Sequence, residues 1–298
     1  MVGGLGDDTL DWDDGDGNDI MSGNEGRDTI EVDGSVALGD NNVLGKNAQG
    51  LAFFERTGLN GQLGVGRFDL TVDTAEVFDV SSFGGNDTFV INDLTGTGVE
   101  LIEFDGGAGN DILDARNTST RIEAIGGDGD DTLIGGTGTI VVGAATLGDT
   151  LTGGAGRDKF QFSSDPFAGV PVGNSNRPDV ITDFAFADDR IAIDPRGFTA
   201  PLSFAKGEVN ALSGSSNVLV LEGSFANAGQ AANAIRDNNN LTADRGVFVY
   251  FNQNLGISRV VFSENLANGG RFSVLGNLTN LTSAAQQANF TADNFSVA

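Results

Sequence analysis

From Gly126 to Gln161 the chain repeats every nine residues: GGDGDDTLI, GGTGTIVVG, AATLGDTLT and GGAGRDKFQ stand end to end without a gap. A fixed period of this kind constrains the fold more than any local propensity, because each unit must bury the same face against its neighbours. The first half of a unit is turn chemistry and the second half strand chemistry. Glycine at the first, second and fourth positions permits backbone angles and close approaches that a side chain would block. The sixth position is Asp131, Asp149 and Asp158, with Ile140 as the exception, and the eighth is apolar each time: Leu133, Val142, Leu151 and Phe160. Each unit therefore reads as a loop followed by a short, half-buried strand.

The unit recurs elsewhere. GGLGDDTLD covers 3–11, DGDGNDIMS 14–22, GNEGRDTIE 23–31 and GGAGNDILD 106–114, with SFGGNDTFV at 82–90 a degenerate copy; these add Asp8, Asp19, Asp28, Asp111 and Asp87 at the sixth position. The pattern GGxGxDxUx, with U apolar, resembles the repeats-in-toxin (RTX) nonapeptide. That resemblance implies a right-handed parallel β-roll, two nonapeptides per coil, with several calcium ions held between loops stacked on the same side. The chemistry agrees, since calcium takes six to eight oxygen ligands and a glycine loop offers carbonyls beside the Asp carboxylate. The metal ligands implied are Asp8, Asp19, Asp28, Asp87, Asp111, Asp131, Asp149 and Asp158, together with Gly107, Gly109, Gly127, Gly129, Gly136, Gly138, Gly154 and Gly156. Two units per coil would place Asp87, Asp111, Asp131 and Asp149 in one column, with Ile140 and Asp158 opposite.

Charge supports a cation as partner. The 298 residues carry a net charge of −26, and residues 1–161 hold most of the acidic excess. Phosphate binding needs a basic surface, so nucleic acid is excluded as a partner. A solvated acidic surface alone would not require Asp to fall repeatedly at one place in a glycine frame. The chain has no Cys and no His, which excludes disulfides, HExxH zinc sites and Ser-His-Asp triads. No GxSxG motif is present, and the reading is of a protein that is not an enzyme. MVGGLGDDTL has neither a basic start nor an apolar core of the Sec type, and no apolar run is long enough for a membrane span. The sequence opens inside a repeat, which suggests the C-terminal part of a larger protein.

Along the chain, Asp14, Asp16, Asn18 and Glu25 match four positions of an EF-hand loop, but the required glycine is Asp19 and the flanks are not helical. Residues 31–75 lose the frame and read as irregular, with Phe53 and Phe54 packed in a loop. From 76 to 134 a longer period appears: EVFDVSSFGGND, ELIEFDGGAGND and TRIEAIGGDGDD align with offsets of 24 and 20. Alternation then stacks Phe78, Ile102 and Ile122 inward, Val80, Phe104 and Ala124 inward beside them, and Asp79, Glu103 and Glu123 outward. That acidic row reads as a solvated face. The alternative is a groove that binds or modifies a polysaccharide with Arg116 and Arg121, as in β-helix lyases and epimerases.

After Gln161 the composition changes. PDVITDFAFADDRIAID (178–194) resembles the segment that follows the last RTX repeat, which implies Asp179 and Asp183 as further ligands, while Asp188 and Asp189 read as a turn. A short helix over 226–237, a hairpin over 246–264 and a second short helix over 282–289 follow. Thirteen of the 21 Phe lie beyond residue 161, enough for a cap on a solenoid end. FTADNFSVA resembles the uncleaved C-terminal signal read by a type I ABC exporter. The fold expected is thus all-β: a parallel β-roll or β-helix over 1–161 and a smaller mixed β/α C-terminal cap over 162–298. The function implied is a secreted, extracellular module that folds on binding calcium. The rivals are part of a polysaccharide-modifying enzyme and a module for cell-surface adhesion.

Overall fold

The computed structural model describes residues 1–142, 145–163, 167, 178–193 and 201–298, and the side chains of these except 140–142, 145 and 147. The side chains of Ile140 and Val142, and the Asp194 that ends the post-repeat segment, lie outside the described residues. Two compact units form: Met1–Ile140 with Gly148–Lys159, and Val141–Leu147 with Phe160–Ala298.

Loop-strand units produce a coil of two faces. The strands are β1 (Val2–Leu5), β2 (Thr9–Trp12), β3 (Asp19–Glu25), β4 (Thr29–Asp33), β5 (Asp40–Lys46), β6 (Ala52–Leu59) and β7 (Gln62–Asp73). They continue as β8 (Val77–Ser81), β9 (Thr88–Ile91), β10 (Leu101–Ala108), β11 (Ile112–Asp114), β12 (Arg121–Asp128) and β13 (Thr132–Ile134). Then come β14 (Ile140–Val142), β15 (Ala145–Leu147), β16 (Thr150–Ala155) and β17 (Lys159–Phe162). In the first unit one face runs β1-β3-β7-β6-β5-β9-β11-β13, and the other β2-β4-β8-β10-β12-β16. Successive coils therefore pair in parallel, as a β-roll requires.

The register on the second face is the one the offsets of 24 and 20 predict. Leu10, Ile30, Phe78, Ile102 and Ile122 stand in line, as do Trp12, Val32, Val80, Phe104, Ala124 and Leu151. All are buried. Because side chains alternate along a strand, the residues between them point outward, and Asp11, Glu31, Asp79, Glu103 and Glu123 form one acidic row in register. On the first face Phe89, Leu113 and Leu133 make the facing inward stack.

Residues 31–75 are not irregular, contrary to the sequence reading. β5, β6 and β7 are antiparallel neighbours inserted into an otherwise parallel face, with β7 beside β3 and β5 beside β9. β6 alternates regularly between buried and half-buried residues. Phe54 lies inside a strand, not a loop, and it anchors an aromatic core: Phe54 sits 5.8 Å from Phe68 and 5.8 Å from Phe89, while Trp12 stacks on Phe68 at 3.6 Å. Such ring pairs contribute beyond the area they bury.

The second unit includes β18 (Asp179–Ile181), β19 (Arg190–Ile193), β20 (Phe204–Gly207), β21 (Val218–Phe225), α1 (Ala228–Arg236), β22 (Gly246–Asn252), β23 (Ile257–Ser263), β24 (Phe272–Leu278) and β25 (Phe295–Val297). The Asn227 side chain caps α1 by accepting the Gln230 N–H at 2.9 Å, satisfying a donor that the helix start would leave unpaired. Ala228, Ala231 and Ile235 belong to a buried cluster with Leu219, Phe248 and Tyr250. β22 and β23 form the antiparallel hairpin expected over 246–264. The second short helix is a 3₁₀ turn over Ala284–Asn289. The last strand, β25, lies parallel to β19.

Candidate metal centre

A coil of two faces turns twice, so its loops stack along two edges. The forward edge takes the chain from the second face to the first, through loops ending at Asp19, Asp40, Asp87, Asp111, Asp131 and Asp158. The return edge takes it back, through Asp8, Asp28, Glu76 and Asp149.

On the forward edge the carboxylates form a buried ladder. The Asp40 N–H donates to Asp87 Oδ1 at 2.5 Å, the Asp87 N–H to Asp111 Oδ1 at 2.7 Å, the Asp111 N–H to Asp131 Oδ1 at 2.7 Å and the Asp131 N–H to Asp158 Oδ1 at 3.0 Å. One position earlier a second ladder runs the opposite way: the Asn110 N–H donates to Asn86 Oδ1, the Asp130 N–H to Asn110 Oδ1 and the Arg157 N–H to Asp130 Oδ1. Adjacent coils are thus tied in both directions by side chains at the fifth and sixth positions of the repeat.

The glycines explain how the loops can stack so closely. Gly109, Gly129 and Gly156, the fourth residues of their repeats, have φ of 145°, 138° and 136°. A Cβ on Gly129 would stand 1.7 Å from the Gly109 carbonyl oxygen, and one on Gly156 would stand 2.0 Å from that of Gly129. Only glycine fits such a place. Gly107, Gly127 and Gly154 are also left-handed. The first glycine of the repeat serves differently: a Cβ on Gly126 would stand 2.3 Å from Asp131 Oδ2 and 2.6 Å from the Gly153 carbonyl oxygen. Carboxylate and carbonyl oxygens of successive coils converge on a hollow that exists because the residue has no side chain.

Those oxygens fit a hard cation. Oδ2 of Asp8, Asp28, Asp87, Asp111 and Asp131 is buried and has no hydrogen-bond partner, a cost of several kcal/mol per charge in the absence of a counter-ion, as an order of magnitude. Burial, reinforced by repulsion from Asp111 and Asp40, pushes Asp87 up to about 8. Burial likewise raises Asp111 and takes Asp131 to about 6. Among the described residues no three acidic side chains converge as a metal cluster, so a calcium shell of six to eight oxygens must draw on the stacked loop carbonyls.

The expected column needs one correction. Asp158, not Asp149, follows Asp131 on the forward edge. The coil between them has 27 residues, as the pairing of Ala124 with Leu151 also shows, because a third nonapeptide is spent on the β14–β15 ribbon. Asp149 lies on the return edge, where Oδ1 accepts the Ile122 N–H at 2.9 Å and Oδ2 the Gly136 N–H at 2.6 Å. Burial raises it to about 6. Gly136 and Gly138 also sit on the return edge, against the carbonyls of Thr118 and Thr120. Asp19 opens β3 opposite Leu70 and is half-buried. Asp179 and Asp183 belong to the second unit, and Asp189 is the turn residue expected, its Oδ2 accepting the Ala185 N–H at 2.7 Å. The EF-hand alternative fails, since β3 occupies the second half of its loop and strands, not helices, flank it as β2 and β4.

Two acidic residues lay outside the glycine frame and escaped the sequence reading. Asp40 ends the loop Gly34–Asp40, one residue longer than the repeat allows. Glu76 accepts the Asp28 N–H at 2.8 Å through Oε2, the role that Asp28 plays for the Asp8 N–H at 2.9 Å. The only signal for either was an acidic residue just before a strand.

Asp79, Glu103 and Glu123 of the outward row line a groove of about 460 Å³ with Ser81, Asp105 and Thr150. Burial and mutual repulsion raise Glu31 and Glu103. Arg121 pairs with Glu123, and Arg116 with Asp114 at 2.7 Å.

Among curated proteins no relative matches the chain. The family model of the RTX calcium-binding nonapeptide repeat, in four copies, matches residues 1–30, and that of the peptidase M10 serralysin C terminal matches residues 69–222. Neither covers a catalytic domain. No helix of the described residues is long and apolar enough to cross a membrane. Calcium is the ion these repeats bind, and both matched regions are typical of secreted proteins. Since the second match spans a little over half of the 298 residues and the buried Asp ladder from Asp87 to Asp158 falls within it, the chain belongs to the serralysin C-terminal family, with RTX calcium-binding repeats at its head.

Proposed function

We propose that the chain is an extracellular module whose β-roll folds on binding calcium, and that it forms the C-terminal part of a larger protein exported by a type I system. The observation that carries this reading is the set of buried Asp oxygens without partners beside stacked glycine carbonyls. Calcium supplies the positive charge and the demand for oxygen ligands that such a set lacks. In a calcium-poor cytosol the forward-edge carboxylates repel one another and hold the chain loose. Outside, sites of this class bind at about 10⁻⁴ to 10⁻³ M, and binding to the folded state alone draws the equilibrium toward it. Asp87, Asp111, Asp131 and Asp158 act as forward-edge ligands, Asp8 and Asp28 as return-edge ligands, with the loop glycines lending carbonyls.

The polysaccharide-enzyme alternative is weaker. Arg121 and Arg116 are already engaged with Glu123 and Asp114, and a uronic-acid polymer would meet a row of carboxylates. A circular-dichroism titration tests the main reading: β-structure rises from chelator to millimolar calcium, and an unchanged spectrum overturns it. Export is tested by deleting residues 280–298. That change also removes β25 and the buried Phe290, so the tail fused to an unrelated carrier is the cleaner assay.

A further inference from the structure

Asp40 stands in the forward-edge column, yet its carboxylate is used unlike those of Asp87, Asp111 and Asp131. Its Oδ2 accepts the Ser35 N–H at 2.8 Å, and its Oδ1 accepts Arg56 Nη1 at 2.9 Å. Both oxygens are therefore occupied by donors. The other end of the guanidinium reaches the preceding forward-edge loop, where Nη2 donates to Asp14 Oδ1 at 2.5 Å, and Nε donates to the Gly66 carbonyl at 2.7 Å. The guanidinium lies 4.8 Å from the Phe68 ring and 5.8 Å from the Trp12 ring. The Arg56 side chain is only 4% exposed.

A buried cation that spans the Asp residues of two forward-edge loops does what a calcium ion between two loops would do. Arginine suits the place because its planar fork serves two carboxylates at fixed angles, keeps its charge when buried and stacks on aromatic rings. The place is also where β6 and β7 separate β3 from β5, so the regular stacking of loops is broken there. We propose that Arg56 takes the place of a calcium ion between the Asp14 and Asp40 loops, sealing the metal column at Asp87 and making the aromatic core around Trp12, Phe54 and Phe68 a nucleus that holds without calcium. This rests on the calcium-folding reading and adds its limit: the ions fall into two sets, one on each side of a metal-free clamp.

Trp12 is the chain's single tryptophan and lies wholly buried under the clamp, so it reports on the nucleus alone. In chelator, Trp12 of the unaltered chain stays shielded from acrylamide, and Arg56→Gln raises its quenching several-fold. Quenching of the unaltered chain in chelator equal to that in concentrated guanidinium chloride would overturn the proposal. The second measurement is the number of ions bound at calcium saturation, by equilibrium dialysis with metal analysis. Asp111→Asn lowers it, whereas Asp40→Asn leaves it unchanged; an equal loss in both would place calcium on Asp40 and overturn the proposal. Should Asp40→Asn unfold because Arg56 is left uncompensated, the neutral pair Arg56→Gln with Asp40→Asn takes its place. A chain that binds no calcium at all would refute the folding-module reading, and the quenching result would still decide on Arg56.

Discussion

Replacing Asp131 by Asn should move the stability of the roll in opposite directions with and without calcium. Asp131 is 1% exposed, and burial lifts its carboxyl to about 6, above the ordinary 3.8. A raised value means that stability present below 3.8 is lost as pH rises through 6. At 1.36 kcal/mol per unit, the ionised group costs the calcium-free fold about 3 kcal/mol at pH 7. Asparagine removes that charge while keeping the acceptor for the Asp111 N–H, 2.7 Å away. Its amide nitrogen would take the place of Oδ2 beside the Gly126 hollow, where the Gly153 carbonyl also points, and there a donor is better placed than a second oxygen. In calcium the same change deletes a carboxylate ligand and weakens the site. Urea unfolding followed by circular dichroism, in chelator and in millimolar calcium, reads both effects. The expected result is, in chelator, more β-structure than the unaltered chain holds, persisting to higher urea, and in calcium a fold less stable than that of the unaltered chain. A loss of similar size in both buffers would show that the carboxylate braces the loop mechanically and is no ion site.

The pH dependence follows the same sign. With Asp131 at about 6 and Asp87 at about 8, the calcium-free chain should hold most β-structure below pH 4 and lose it progressively to pH 8, while calcium binding weakens as pH falls through that window; a calcium-free signal that grows with pH contradicts this. Asp149→Ala, which strips acceptors from the Ile122 and Gly136 N–H groups, should destabilise the roll in chelator and calcium alike by about 1–3 kcal/mol, as seen in parallel denaturation curves. Gly129→Ala should prevent stacking of its loop, since its Cβ would stand 1.7 Å from a backbone oxygen. Gly15→Ala, at φ 107° with open space around it, should cost only about 1–2 kcal/mol of backbone strain. Equal melting temperatures for the two variants would mean that the loops are not in contact.

Much of this architecture could be read from the residues. The inward stacks through Phe78, Ile102 and Ile122 were legible because Asp79, Glu103 and Glu123 mark the opposite phase, and a strand's period of two leaves one register. The column assignment failed at Asp149 because an 18-residue coil was assumed across a stretch where one coil takes 27; the repeat fixes the unit but not the number of units per turn. β6 was missed for a different reason. Its inward residues are Ala52, Phe54, Arg56 and Gly58, and an arginine in the apolar phase hides the alternation until Asp14 and Asp40 are seen to hold it. Glu76 carries no glycine frame at all, and only the three-dimensional stack reveals that its side chain continues the return edge.

From Asp87 onward the lengths of the coils separate the two edges into one that holds its length and one that does not. From first glycine to Asp the forward-edge loops keep a fixed count at 106–111, 126–131 and 153–158, although the coils that contain them differ by several residues. The surplus sits at 92–100, 115–120 and 135–149, all between the first face and the second. Insertion of foreign peptide is therefore tolerated on the return edge after Leu94 or Arg116 and rejected inside the forward-edge loops between Asp87 and Asp158, where one added residue would break both ladders at once; the longer loop Gly34–Asp40 stands at the end of the column, where only the Asp40 N–H joins the ladder. For anyone grafting a recognition loop onto this scaffold, the return edge is the side to build on, and natural divergence in this fold should accumulate there by whole loops while the doubly laddered part of the forward edge keeps its loop length.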